Sequence, residues 1–485
     1  MYSPQSRISL VRKIGWQVLA VLLGLAVSWN GLAALDFFIS REFFGNVFNN
    51  IRLRPMPLPG PGSRVMIFVP HPDDETAGCG LLISRLVQNG CQVKVVLTTY
   101  GDGVGKADRL VHSLTKPGPE HFLRQAGTRR AESLKALRRL GVAGRDVIFL
   151  GYPDGGSIYL WSTHWNGDKP FTSPYSKRNY VFYPGSFTPG SPFTGAAMVG
   201  DFEKALRRFR PTHVVYPHFY DSHPDHFVTN NFVKYAIARL DYQAVEYIYL
   251  VHRGNWPSPP GRFKGQRLRP PKALGTEDLI WYSLEGTASE LAAKERALSA
   301  YRSQNRNWLM KVYLDSFLRQ NELYAEYHDF EMEREAGEIY PEGHIEFVNP
   351  FSDVYLGYVN RPADIRGLEL TIENGIVTCR LSTIKRPHRE YRYLLGLIFF
   401  GPGTATRRVI FTVEREQLVY QPMTSDSLAR PERSQCAIGG NYLEISFPLD
   451  GLPRFRSILV SASTYQNWRL IDRTGTRLIR VRDEE

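Results

Sequence analysis

Cysteine is scarce in this 485-residue sequence: Cys79, Cys91, Cys379 and Cys436 are the four, too few and too scattered for a disulfide framework. No CxxC pair and no Cys/His spacing suggests a thiolate metal site. Free buried thiols are expected, with a Cys379–Cys436 bridge open in an oxidising compartment. Acidic residues are outnumbered, 48 Asp plus Glu against 60 Lys plus Arg, for a formal net charge of +12. That excess suits anionic surroundings such as a membrane face, a phosphorylated substrate or an acidic glycan. A basic surface without a specific partner is the plainer reading. No nucleic-acid-binding signature accompanies the charge, which argues against nucleic acid. Apolar residues at 43% and charged residues at 22% exclude a disordered chain.

Long uncharged runs that are also apolar are rare, and Ile14 to Leu35 is the exception. At 1.5 Å per residue it reaches about 33 Å, enough to cross a bilayer core. Arg7, Arg12 and Lys13 precede it, so residues 1–13 are expected as a cytoplasmic basic tail and 14–36 as a signal anchor. The rest of the chain would then lie on the exported side of the inner or cytoplasmic membrane, held by a single span. A cleaved signal peptide ending near Ala33 and Ala34 is the competing reading. Residues 37–63, with RPMPLPGPGS, are expected as a stiff juxtamembrane linker.

What the sequence does contain centres on Val65 to Gly80, VMIFVPHPDDETAGCG, and on Asp221 to His226, DSHPDH. An apolar run passing straight into His71, Pro72, Asp73, Asp74 and Glu75 describes a strand that ends in a polar loop. In an open α/β sheet, ligands bind beyond the carboxyl ends of the strands. His213 to His218, HVVYPH, is a second buried strand ending just before DSHPDH. A metal explains the two motifs together. His71 and Asp74 with His226 offer two nitrogens and one oxygen, and three protein ligands beside an open position is the hydrolytic arrangement of zinc. Asp73, next to a ligand, is placed to accept a proton as general base, and His223 to act as acid or oxyanion partner. Asp225 is a candidate to orient a histidine, and Asp221 to brace the loop. Helical patterns over 77–88 and 128–140 alternate with strand patterns over 93–99 and 147–150. The expected class is therefore α/β, a Rossmann-like, mostly parallel sheet with flanking helices.

These residues carry a resemblance. His71-Pro-Asp-Asp74-Glu75 with His223-Pro-Asp225-His226 resembles the PIG-L/LmbE-like de-N-acetylase family, which includes the N-acetylglucosaminylphosphatidylinositol deacetylases. Arg129 to Glu132 resembles the family's R-x-x-E helix, Leu150 to Gly155 its sugar-binding loop and Ala297 to Gln304 its closing helix, in the family's order from 64 to about 330. The resemblance implies an N-deacetylase, a hydrolase of linear amides using zinc or another divalent metal, that removes acetyl from an N-acetylated amino sugar. It also implies that Arg129, or Arg130 if the register slips, reaches a substrate hydroxyl or phosphate, and that Asp154 accepts hydrogen bonds from the sugar. Their plain readings are a solvated helical face and a turn before Gly155-Gly156. Export points to an N-acetylglucosamine or N-acetylgalactosamine unit in a glycolipid, a lipid-linked sugar or a polysaccharide. The competing functions are a non-catalytic glycan-binding or assembly scaffold and a zinc amidase acting on another small amide.

The deacetylase domain is expected over 64–335. Within it, Ser157 to Gly200 holds ten aromatics, either a loop packed on itself or a lid and sugar-stacking wall. His252-Arg253 ends another strand, as substrate contacts or as structural residues. Helical patterns follow over 289–302 and 308–330. From 340 to 485, short β-prone runs between turns suggest a β-sandwich accessory domain, to which no site is assigned. The oligomeric state is not encoded in any motif.

Overall fold

The computed structural model describes residues 50–484 apart from 104–116, 255, 277, 351–355, 357–358 and 421–432. The expected tail and signal anchor lie outside the described residues, among which no helix is long and apolar enough to cross a membrane.

Eight strands, β1 (Leu53–Pro55), β2 (Arg64–Val69), β3 (Gln92–Thr99), β4 (Val147–Tyr152), β5 (His213–Pro217), β6 (Val245–Tyr249), β7 (Leu279–Glu285) and β8 (Asn321–Tyr327), form one sheet in the order β1-β7-β8-β6-β5-β2-β3-β4. The run from β6 to β4 is parallel, and β8 enters antiparallel between β6 and β7. Strands such as β2 are buried along almost their whole length, as expected where helices cover both faces. The helices are α1 (Asp74–Gln88), α2 (Pro119–Arg139), α3 (Ser157–Ser162), α4 (Gly195–Phe209), α5 (Pro224–Arg239), α6 (Ala288–Leu298), α7 (Arg302–Asn305) and α8 (Trp308–Asp315). Pro119 and Pro224 open α2 and α5, at positions where the missing N–H costs nothing.

From β2 the chain winds outward through β3 to β4, then returns to the other side of β2 with β5 and β6. The strand order therefore reverses between β2 and β5. Beyond the carboxyl ends of those two strands lies the crevice where such sheets bind ligands, and there the two His/Asp motifs meet.

Twelve further strands follow: β9 (Phe330–Arg334), β10 (Gly343–Val348), β11 (Ile365–Glu373), β12 (Ile376–Thr383), β13 (Arg392–Phe400), β14 (Arg407–Glu414), β15 (Gln417–Tyr420), β16 (Gln435–Ile438), β17 (Tyr442–Pro448), β18 (Ser457–Gln466), β19 (Arg469–Arg473) and β20 (Arg477–Asp483). They make two sheets, β10-β11-β12-β17-β16 and β15-β14-β13-β18-β20-β9 with β19 on β18. Burial alternates along β11, β12 and β17, and their inward side chains share a second apolar core with those of β13, β14 and β18. Ile398, Phe400, Leu459 and Leu478 leave that core to pack into the first.

Four expectations change. Leu53–Pro55 of the expected linker is a sheet strand paired with β7, and Met56 is buried beside it. The helical pattern over 308–330 breaks after Asp315 and gives way to β8. Residues 330–334, expected in the deacetylase domain, pair with β20 in the C-terminal sheets. Cys379 and Cys436 flank β17, both opposite Ile445, which separates them by about 10 Å, too far for a disulfide.

Candidate metal centre and active site

His71 follows β2, Asp154 follows β4, Asp221 to His226 follow β5 and His252 follows β6, so the carboxyl ends of four strands aim side chains into one crevice. Asp74 opens α1 and His226 lies in the first turn of α5. Asp74 Oδ2 is 3.1 Å from His71 Nδ1 and 3.0 Å from His226 Nε2. The expected ligands thus converge on a single oxygen. Asp221 Oδ2 stands 3.1 Å from His226 Nδ1. Neither nitrogen of His226 has hydrogen-bond geometry to its carboxylate, which leaves two buried donor atoms without a hydrogen bond. Burial alone would push the His226 imidazole down, but Asp221 and Asp74 outweigh it and raise it to about 9. A cluster that holds a proton so firmly is electrostatically suited to a cation, and its nitrogen and oxygen donors fit zinc or a similar divalent ion.

The crevice offers more than one donor set. His71, His223 and His226 bring ligand atoms within 4.8 Å of one another, as do Asp74, His226 and His252, and also His71, Asp154 and Asp225. His71 Nε2 faces Asp225 Oδ2 at 3.1 Å and Asp154 Oδ1 at 3.4 Å. Asp225 in turn accepts from Gly155 N at 2.8 Å and from the Ser157 hydroxyl. This is the orienting contact a ligating imidazole ordinarily has on its far nitrogen.

Asp73 sits at φ 129°, a conformation that side-chain-bearing residues rarely adopt and that costs about 1–3 kcal/mol. The two flanking contacts are its N–H to Glu75 Oε2 at 2.9 Å and Arg129 to its Oδ2 at 3.1 Å. Burial raises its carboxyl to about 7, against the pull of Arg129 and with the push of Asp74 and Glu75. Arg129, expected to reach a substrate group, is turned onto the loop instead. It is buried, donating to Pro72 O at 2.8 Å and Gly101 O at 3.2 Å as well as to Asp73. Asp154 is tied to Gly103 N at 3.0 Å and keeps part of its surface exposed.

His223 caps α5. Its Nδ1 accepts from Asp225 N at 3.2 Å, which places the proton of the neutral ring on Nε2. Its side chain is 31% exposed, the most open of the histidines in the cluster. Burial, followed by the charge on His71, holds it down to about 4, so the ring is a neutral donor.

Three site groups take roles the sequence did not assign, among them His252, expected only as a substrate contact or a structural residue. His252 Nε2 lies 3.9 Å from Asp74 Oδ1, and Tyr313 stacks on its ring with 5.3 Å between centroids. Asp102 accepts from Tyr183 at 2.8 Å, and Glu75 accepts from Tyr301 at 2.8 Å. The position of His252 at a strand end was the available signal. Of the aromatics over 157–200, Trp161, Trp165, Tyr183 and Phe193 are buried, while Tyr159 is exposed and stacks on Phe171 at 5.1 Å.

Residues 66–237 match the model of the PIG-L family, described as GlcNAc-PI de-N-acetylase. The chain is 28% identical over 256 residues to a 1D-myo-inositol 2-acetamido-2-deoxy-alpha-D-glucopyranoside deacetylase of Corynebacterium urealyticum, covering 50% of this chain and 70% of that protein. It is 37% identical over 93 residues to the protein of the same name from Geodermatophilus obscurus, covering 19% and 30%. The solved N,N'-diacetylchitobiose deacetylase from Pyrococcus horikoshii shares 19% identity over 55% of this chain and 84% of that one, with a TM-score of 0.31. The family match thus spans residues 66–237, the part of the chain that carries both His/Asp motifs.

Proposed function

We propose that the protein is a metal-dependent N-deacetylase that hydrolyses the acetamide of an N-acetylglucosamine-type amino sugar, yielding the free amine and acetate. The observation that carries this reading is the convergence of His71 Nδ1 and His226 Nε2 on Asp74 Oδ2, with Asp73 beside them. His71, Asp74 and His226 would hold the ion, zinc being the expected one. A divalent ion held there supplies Lewis acidity towards water and towards an amide carbonyl.

The chain's own groups do the rest. Asp73 takes the proton of the attacking water as its oxygen bonds to the acetyl carbon, and returns a proton to the nitrogen as the C–N bond breaks. Arg129 opposes the burial that favours the neutral acid and holds Asp73 in place. His223 donates Nε2–H to the oxygen that becomes negative, a role a neutral ring performs without a change of charge. Asp225 orients His71, and Asp154, which keeps part of its surface open, is the candidate for sugar hydroxyls.

The finer substrate reading is an N-acetylated sugar in a glycolipid, lipid-linked sugar or polysaccharide on the exported side of a membrane. It rests on the uncharged run Ile14 to Leu35 and on the +12 net charge. Acetate release from N-acetylglucosamine oligomers and from a lipid-linked N-acetylhexosamine, by the zinc-loaded full chain beside His226→Ala, tests the proposal. Release by the wild type alone supports it, and the preferred acceptor identifies the substrate class. No release from any acceptor by a fully loaded protein would favour a glycan-binding scaffold or another amide.

A further inference from the structure

The C-terminal sandwich reaches the metal loop itself. Residues 474–476 form the turn between β19 and β20, and Thr474 and Gly475 are buried. A Cβ on Gly475 would stand 2.2 Å from Cδ2 of Phe219, so the turn lies against that ring with no room to spare. On one side of it, Arg477 lies over the Phe219 ring at 4.1 Å and pairs with Asp278. On the other side, Arg473 donates to Asp221 O at 2.6 Å and lies over the Phe227 ring at 3.9 Å. Phe219 and Asp221 precede the His223–His226 motif and Phe227 follows it, so the turn grips the motif at both ends.

Asp221 transmits that grip. Its carboxylate accepts from His223 N at 2.9 Å, Val251 N at 3.1 Å and His252 N at 2.9 Å, and faces His226 Nδ1 at 3.1 Å. Burial would raise this carboxyl, yet His226 and the backbone donors hold it well below the usual range. One residue thus bonds the sandwich through its carbonyl while its side chain accepts from three backbone N–H groups of the crevice and faces His226.

We infer that the β19–β20 turn is a brace for the metal-binding loop and that Arg473 is a positioning residue for His223 and His226. The sandwich is then part of the catalytic unit and not a detachable carbohydrate-binding appendage. A guanidinium suits the task because it bonds a carbonyl through one edge while its face covers an aromatic ring. The inference rests on the reading of His226 as a metal ligand. Residues that orient ligands from outside typically change metal affinity by about 10- to 100-fold when removed.

The test uses the full chain and two readouts that need no turnover: zinc affinity by competition with a chromophoric chelator, and backbone hydrogen exchange over 218–227. Arg473→Ala is expected to weaken zinc binding by about 10- to 100-fold and to speed exchange over 218–227. Arg473→Lys, which keeps a cation and a donor, restores most of both. Thr406→Val removes another contact between the two parts of the chain, the 2.8 Å contact with Tyr235, and leaves both readouts as in the wild type. Wild-type affinity and exchange in Arg473→Ala would overturn the inference, as would equal losses in Thr406→Val.

A wild-type measurement covers a variant that fails to fold. By reciprocity, zinc must slow exchange in 472–477 as well as in 218–227 while leaving β11 and β12 unchanged. No response in 472–477 overturns the brace. A zinc affinity unchanged in His226→Ala would refute the metal-site reading instead. Coupling without acetate release would leave the brace standing and remove the deacetylase.

Discussion

Arg129 donates to Asp73 Oδ2 at 3.1 Å from a helix 56 residues further along the chain, and both side chains are buried. Burial drives Asp73 towards its neutral form and Arg129 opposes it. Removing the guanidinium therefore raises the Asp73 carboxyl further, and a base is useful only when ionised. In Arg129→Ala the acid limb of the kcat/KM profile is expected at higher pH than in the wild type. Below the limb, kcat/KM falls about tenfold for every pH unit the limb moves. A limb that stayed in place or moved to lower pH would contradict the pairing.

Lys294 and Glu322 form a buried pair at 2.6 Å behind α1. Glu322 accepts from Leu81 N and Leu82 N, and Lys294 donates to Ala77 O at 2.8 Å, so the pair is stitched into the backbone of the helix that opens with Asp74. Lys294→Met leaves a buried carboxylate uncompensated and should destabilise the fold by about 3–5 kcal/mol in denaturant titration. The double variant with Glu322→Leu should lose less than the sum of the single losses.

Gly78 lies inside α1, where alanine would ordinarily be the better helix former by about 1 kcal/mol. Here a Cβ would stand 2.5 Å from the Tyr249 ring. Gly78→Ala is therefore expected to destabilise the protein by about 1–3 kcal/mol and not to stabilise it. A raised melting temperature would show that α1 has room to shift.

His71 and His252 both border Asp74, at 3.1 Å and 3.9 Å. In the proposed centre the ligand is His71. His71→Ala should lose most of the bound metal, whereas His252→Ala should keep its stoichiometry at one ion per chain, measured by elemental analysis. The reverse result would assign the ion to Asp74, His226 and His252.

The α/β alternation and the two His/Asp motifs were legible because each is a contiguous run, with apolar strand residues passing directly into ligand-type side chains. What the crevice assembles from single residues was not. His252 has no motif around it. The guanidinium of Arg129 turns inward because Pro72 O, Gly101 O and Asp73 await it there, and a helical pattern does not show on which side of a neighbouring loop a long side chain ends. NELYAEY in β8 spaces its charges as well for a helix as for a strand. Its Glu322 and Glu326 find partners in Lys294 and Tyr282, contacts between segments far apart in sequence. β1 has three residues beside prolines and exists because β7 offers it an edge.

In the proposed mechanism one ion is held by His71, Asp74 and His226 while Asp73 moves the proton. This mechanism is tested most directly by measuring bound zinc and acetate release on the same preparations of wild type and Asp73→Ala, using the preferred N-acetylated sugar. The expected result is one zinc per chain in both proteins, with turnover in Asp73→Ala lower by about 10²-fold or more. Near-native turnover in Asp73→Ala, or loss of its zinc, would rule out this division of roles between the ion's ligands and Asp73.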